Sequence, residues 1–200
     1  MELFFLCPDD NTTMRPELVD GVPVAFCERE SLDEQREEVC EWAENYLAWR
    51  SQCTARPAAV FDIDATLLYG QDSIHSVIRL YNTAKDLGIT RFIVTARSDD
   101  GKSYTLNELD KHGIEHPRHL FMHPKDKPCT SSSQAGEAKE RSRRRIQKKE
   151  FDILINVGDA FHDHFTPPMH RNLQKTIGNS RCAVFVDPED GCAHLKLVHP

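Results

Sequence analysis

The sequence predicts an α/β fold, a three-layer, Rossmann-like arrangement in which helices flank a parallel sheet. Short apolar runs rich in β-branched and aromatic residues are typical of buried strands, and they alternate along the chain with segments whose apolar residues recur at helical spacing. Such alternation indicates βαβ units with right-handed crossovers. Two hundred residues are enough for one well-buried domain and few for two.

The predicted domain follows a less regular N-terminal segment. Residues 1–30 show no clear period and contain three prolines, so we expect an irregular arm or short strands there. A single domain is expected over 31–200, with its core at 57–187. The segment Ser31-Leu32-Asp33-Glu34 has the spacing of a capping box, and apolar residues at helical spacing follow it. We therefore expect a helical extension over about 32–52.

Five strands and four helices are expected after this extension. Apolar runs predict strands at 58–63, 90–95, 119–122, 151–157 and 181–186. Helical spacing predicts helices at 72–87, 105–112, 137–149 and 169–177. Prolines and serines predict a loop over 124–136. The segments between the strands are short, so we expect little or no cap over the sheet.

Composition and charge exclude several classes of protein. The net charge of −7 argues against general affinity for nucleic acid. No apolar run approaches the roughly 20 residues of a membrane helix, and the N-terminus lacks the basic start of a secretion signal, so we expect a cytoplasmic protein outside the membrane. Seven dispersed cysteines without a CxxC pair favour reduced thiols. The basic segment 137–149 is either a solvated helix face or a surface for a polyanion such as nucleic acid.

Polar residues follow three predicted strands at the sheet edge where open α/β sheets bind ligands. Asp62 and Asp64 come directly after the first strand, Thr95 ends the second, and Asp159 and Asp163 follow the fourth. A carboxylate can attack phosphorus and form a phospho-enzyme, while a second acid protonates the leaving oxygen and then activates water. Taken alone, the first pair is equally well interpreted as two solvated acids at a strand end.

Several carboxylates that converge repel one another unless a cation lies among them. Mg²⁺ prefers oxygen ligands, so magnesium is the cofactor that these acids favour. A hydroxyl and an ammonium group would then hold the phosphoryl oxygens, and Thr95 and Lys139 offer these groups. The pattern therefore indicates phosphoryl transfer.

In their order and position, these residues resemble the motifs of the haloacid dehalogenase-like (HAD) superfamily of phosphohydrolases. That superfamily has a DxDxT loop after the first strand, a Ser or Thr after the second, a Lys on a later helix and an acid pair after the fourth strand. The matching residues are Asp62-Ile63-Asp64-Ala65-Thr66, Thr95, Lys139 and Gly158-Asp159-Ala160-Phe161-His162-Asp163. The resemblance covers about 58–165. It is strongest to the acid phosphatase branch that includes vegetative storage proteins (subfamily III), through Lys139, Arg143, Ile146, Asn156, Gly158 and Asp159.

The resemblance implies a Mg²⁺-dependent phosphomonoester hydrolase with an aspartyl-phosphate intermediate. It makes Asp62 the nucleophile and a metal ligand. Asp64 becomes the general acid and base and gives its backbone carbonyl to the metal. Asp159 is implied as a further ligand, and Asp163 as a support for the metal or its waters.

The resemblance also implies how the substrate phosphate is held. Thr95 and Lys139 would bind it, and Arg97 would either reach an anionic substrate or form a surface salt bridge. Only spacing distinguishes Lys139 from its rivals Lys125, Lys127, Lys148 and Lys149. One departure from the branch is Glu150, which stands where a glycine is usual before the fourth strand.

Three functions remain open at this point. A phosphatase acting on a phosphorylated small molecule is the first. A site with little cap also admits a macromolecular phosphate end, either a 3′- or 5′-polynucleotide end or a phosphoprotein, or is covered by a partner subunit of a homo-oligomer. A catalytically weak structural, storage or regulatory protein is the third, and the intact pair Asp62 and Asp64 argues against it.

Overall fold

The computed structural model describes residues 14–19, 21–115, 119–127, 129–164, 178, 181–187 and 191–198. Its strands are β1 (Arg15–Val19), β2 (Val22–Phe26), β3 (Pro57–Phe61), β4 (Leu68–Tyr69), β5 (Asp72–Ser73), β6 (Thr90–Ser98), β7 (Leu120–His123), β8 (Asp152–Gly158), β9 (Ala183–Val186) and β10 (Ala193–Lys196). Its α-helices are α1 (Leu32–Arg50), α2 (His75–Asp86), α3 (Lys102–Lys111) and α4 (Ser132–Gln147). No helix among these residues is both long enough and apolar enough to cross a membrane.

The main sheet has the strand order β1-β2-β9-β10-β8-β3-β6-β7. The five strands from β10 to β7 run parallel, which confirms the predicted α/β fold with a largely parallel sheet. The sheet is mostly rather than wholly parallel, because β9 pairs antiparallel with β10 and with β2. β9 and β10 are joined by a short connection, which permits antiparallel pairing but not a parallel crossover.

Where the structure describes the N-terminal segment, it forms short strands, which is one of the two expected alternatives. β1 and β2 form an antiparallel hairpin in which Val19 pairs with Val22, and Gly21 between them has a φ of 80°. Because β2 also pairs with β9, the hairpin belongs to the sheet of the domain. Pro16 lies in β1, at the sheet edge, where a strand tolerates a missing N–H donor.

Alternate residues of the central strands face two different layers. Ala59 and Phe61 of β3 belong to the main core together with α1 and α2. Ala58 and Val60 point the other way and belong to a second cluster with Ile146 of α4. The predicted three-layer arrangement, with helices on both sides of the sheet, follows from this alternation.

Most element boundaries lie close to the predicted ones. α1 begins at the expected capping box, in which the Ser31 side chain accepts from the Glu34 amide and the Glu34 side chain reaches back. α4 begins at Ser132 rather than 137, because the Ser131 hydroxyl accepts from the Gln134 amide and caps it. The loop predicted for 124–136 is shorter for the same reason, and the helix predicted for 169–177 lies outside the described residues.

Two further features bear on the sequence-based expectations. Glu150 has a φ of 63°, a left-handed conformation that explains why glycine is usual at this position in the related branch. None of the cysteines that the structure describes forms a disulfide.

Candidate active site

The site lies where the parallel strands β3, β6 and β8 end. Asp62 follows directly after β3, and its backbone amide donates to the Val157 carbonyl of β8 at 3.0 Å. This hydrogen bond ties the loop after β3 to the neighbouring strand. The Asp62 side chain is almost fully buried, since the residue is only 5% exposed. Asp62 is therefore not a solvated acid at a strand end.

Lys139 projects from α4 into this edge of the sheet. Its Nζ donates to Asp62 Oδ1 at 2.7 Å and also donates to Asp163 Oδ1, and the residue is only 3% exposed. Burial lowers the pKa of Lys139, but the two ion pairs outweigh it and raise the pKa, so the ammonium stays charged. The rival lysines are exposed at the surface: Lys125, Lys127, Lys148 and Lys149.

Two hydrogen bonds that involve backbone atoms hold Asp163 in place in the loop after β8. Asp163 Oδ2 accepts from the Ala160 amide at 3.0 Å, and the Asp163 carbonyl accepts from Nη1 of Arg143 at 2.7 Å. Gly158 is required here, because a Cβ at this position would overlap the Asp163 side chain. The structural role of Arg143 was not predicted from the sequence, although its position four residues after Lys139 places both on one helix face.

Three carboxylates lie close together at this edge of the sheet and fit a divalent cation. Oxygens of Asp62, Asp159 and Asp163 all lie within 4.8 Å of one another. If all three carboxylates were ionised beside the one ammonium, the group would carry a net charge of −2. Burial raises the pKa of Asp62 to about 8; Lys139 opposes this shift, and the other two carboxylates add to it. Oxygen donors with an uncompensated double negative charge are the ligand set that Mg²⁺ prefers.

The side chain of Asp64 points away from this carboxylate group. It is 60% exposed and forms a two-pronged ion pair with Arg97, with Nε to Oδ2 at 2.9 Å and Nη2 to Oδ1 at 2.6 Å. Arg97 also binds Glu108 of α3. Of the two alternatives for Arg97, the structure therefore has the salt bridge.

Thr95 lies on β6, the strand next to β3, and is buried. Its Oγ1 accepts from the Arg97 backbone amide at 3.2 Å. Within the described part of the chain, the proton of this hydroxyl has no acceptor. Thr95 also forms part of the wall of a cavity of about 460 Å³ that opens beside α4. It is thus placed to donate to a group that enters this cavity.

Known proteins resemble this chain in sequence. The family described as HAD superfamily, subfamily IIIB (acid phosphatase) matches residues 69–185, a range that contains Thr95, Lys139, Asp159 and Asp163 but begins after Asp62. Vegetative storage protein 2 of Arabidopsis thaliana is 30% identical over 86 residues, which are 43% of this chain and 31% of that protein. The chain thus spans about a third of that relative's length.

A solved structure with a similar fold comes from Bacillus anthracis. Its class C acid phosphatase with tungstate bound has a TM-score of 0.52 and 15% identity, over 86% of this chain and 80% of that one. Another structure of the class C acid phosphatase has a TM-score of 0.45 and 16% identity, over 67% and 66%. Since the family match covers more than half of the sequence, the chain belongs to subfamily IIIB of the HAD superfamily, the acid phosphatases.

Proposed function

We propose that this chain is a Mg²⁺-dependent phosphomonoester hydrolase that works through an aspartyl-phosphate on Asp62. One observation carries the proposal: Asp62 is buried at a strand end, is hydrogen-bonded by Lys139 and is flanked by Asp159 and Asp163. Burying such a charged group without function would cost stability. Membership of the acid phosphatase family supports the same reaction.

In the first step an Oδ atom of Asp62 attacks phosphorus, and the bond between phosphorus and the ester oxygen breaks. The ester oxygen takes a proton from Asp64, so a neutral alcohol leaves and the phosphoryl group stays on Asp62. In the second step water attacks phosphorus and gives a proton to Asp64. The bond between phosphorus and Asp62 breaks, which releases inorganic phosphate and regenerates both carboxyl groups.

The other residues hold charge in place during these steps. The Thr95 hydroxyl and the Lys139 ammonium donate to the non-bridging phosphoryl oxygens. Asp62, Asp159 and the Asp64 backbone carbonyl would hold a Mg²⁺ ion, with Asp163 as support, and the ion would supply positive charge against the phosphate. Because the Asp64 side chain is largely exposed, it can turn from Arg97 towards the leaving oxygen without repacking of the core.

Hydrolysis of 4-nitrophenyl phosphate, measured with Mg²⁺ and with EDTA, tests the proposal. Asp62→Asn removes the nucleophile at constant size, so we expect a loss of about 10³-fold or more. Asp86→Asn, an exposed aspartate on α2, serves as the matched control. Metal-dependent activity no higher than that of Asp62→Asn would overturn the proposal and leave a storage, structural or regulatory role.

The role of Asp64 has a separate signature. The 4-nitrophenolate group leaves without a proton, whereas an alkoxide needs one. Asp64→Asn should therefore reduce hydrolysis of an alkyl phosphate much more than hydrolysis of 4-nitrophenyl phosphate. Equal losses on the two substrates would show that Asp64 is not the acid.

A further inference from the structure

A basic cavity adjoins the proposed active site. It has a volume of about 460 Å³ and opens between the end of β7 and α4, and Thr95 forms part of its wall. Its charged lining residues are Lys127, Arg141 and Arg145, and His123 lies beside them. We call this space the basic cavity. Its volume falls within the range of small-molecule sites, which is about 300 to 1,000 Å³.

The positive charge of the basic cavity is poorly neutralised. In the described chain, Lys127 and Arg145 have no carboxylate partner. Arg141 meets Glu137 only at 3.8 Å, and both of these side chains are more than half exposed. None of the residues that line the cavity is acidic. This concentration of free cations stands out in a chain with a net charge of −7.

Other cations of α4 are engaged elsewhere, so the cavity is not just one side of a uniformly basic helix. Lys139 binds the buried carboxylates of the site. Arg143 and Arg144 both pair with Glu140. The cations that remain unneutralised at the cavity come from two separate elements, with Lys127 after β7 and Arg145 on α4. Convergence of this kind is expected of an anion site and not of a solvated helix face.

We propose that the basic cavity binds a second phosphate group, carried by the leaving group of the substrate. This inference rests on the proposed function: the phosphate that is hydrolysed lies at Asp62 and Thr95, and the remainder of the substrate extends past Thr95 into the cavity. Arginine and lysine side chains are the usual phosphate ligands, and an arginine fork matches phosphate oxygens two at a time. The ligand chemistry is that of a nucleoside bisphosphate or of a phosphorylated polynucleotide end.

The test compares a substrate that has a second phosphate with one that lacks it. Adenosine 3′,5′-bisphosphate and 4-nitrophenyl phosphate are hydrolysed by the wild type and by Lys127→Gln/Arg145→Gln. We expect the ratio of kcat/KM for the bisphosphate to that for the aryl phosphate to fall about tenfold, mainly through KM. Lys148→Gln/Lys149→Gln removes the same charge at the end of α4, away from the cavity, and should leave the ratio within about twofold.

Binding separates the failure of this inference from the failure of the proposed function. Calorimetry on Asp62→Asn, which cannot turn over, measures the affinity for adenosine 3′,5′-bisphosphate with and without the two cavity substitutions. Weaker binding upon substitution supports the cavity even if the wild type hydrolyses nothing. Unchanged binding, or an unchanged kcat/KM ratio, overturns the inference.

Two further substrates identify the source of the second phosphate. If Lys127→Gln/Arg145→Gln reduces kcat/KM for a short 3′-phosphorylated oligonucleotide more than for the bisphosphate, the second phosphate belongs to a polynucleotide end. Equal reductions in kcat/KM identify a small molecule. A singly phosphorylated serine peptide carries no second phosphate. If its hydrolysis depends on Lys127 and Arg145 as strongly as that of the bisphosphate, recognition of a second phosphate is wrong.

Discussion

Replacing Lys139 by methionine removes the one ammonium group that contacts Asp62 and Asp163 within the described residues. Methionine keeps the length and the apolar stem of lysine, so packing against the sheet changes little. The two carboxylates stay buried, however, and lose their partner. Breaking a buried ion pair from one side costs about 3 to 5 kcal/mol. For a chain of this size the Tm then falls by about 6 to 20 °C.

The loss of stability depends on pH, and the direction of this dependence follows from the raised pKa of Asp62. Burial raises that pKa to about 8 even with Lys139 present, and loss of the ammonium raises it further. An acid whose folded-state pKa lies above its unfolded value favours the folded state while it is protonated. This contribution disappears as the pH rises through the folded pKa. The destabilisation by Lys139→Met should therefore be larger near pH 8 than near pH 5.

Urea unfolding followed by tryptophan fluorescence measures this loss in EDTA and in Mg²⁺. Lys148→Met is the control, because Lys148 is exposed and is the C-cap residue of the same helix. It should change the free energy of unfolding by no more than about 0.5 kcal/mol. Mg²⁺ should recover part of the stability lost by Lys139→Met, since the cation neutralises the same carboxylates. A loss in EDTA near pH 8 no larger than that of the control would refute this assignment of charges.

Three other outcomes follow from the geometry. Gly158→Ala should displace Asp163 and reduce kcat/KM by about 10²-fold or more. Gly101→Ala is the control, because a Cβ there meets open space at a φ of −85°, and its kcat/KM should stay close to that of the wild type. Mg²⁺ at about 100 times its Kd should stabilise the wild type by about 2.7 kcal/mol in thermal unfolding, and Asp159→Asn should abolish most of this gain. Ser31→Ala removes the N-cap of α1 and should cost about 1 kcal/mol in urea unfolding, and no loss would contradict the capping box.

The parallel half of the sheet was predictable because each strand there is a continuous apolar run. The run over Ala58–Phe61 predicted β3, and its end located Asp62 at the sheet edge. β10 was not predicted, because His194 and Lys196 interrupt its apolar pattern although both are buried. The pairing of β2 with β9 could not be predicted from the sequence either, because paired residues such as Val24 and Phe185 are far apart in the chain.

Lys139 was distinguished from its rivals by spacing alone, and the structure supplies a physical reason for the choice. Ile146, seven residues after Lys139, packs into the cluster beneath α4 with Ala58 and Val60. Residues seven apart share a helix face, so burying Ile146 turns Lys139 towards the sheet as well. The partners of Arg97 were not predictable in this way, because Asp64 and Glu108 come from separate parts of the chain and meet Arg97 only in the folded structure.

The helical spacing of residues on α4 also relates the carboxylate site to the basic cavity, the two parts of the proposed binding mode. Lys139 and Arg143 share one face and hold the carboxylate site. Arg141 and Arg145, again four residues apart, lie on a neighbouring face and line the basic cavity. A shift of one residue in the register of α4 would rotate each side chain by about 100° and destroy both sets of contacts. The basic residues of α4 therefore act through the position of each charge and not through their number. In the proposed binding mode, this one helix sets the distance between the phosphate that is cleaved and the phosphate that is recognised.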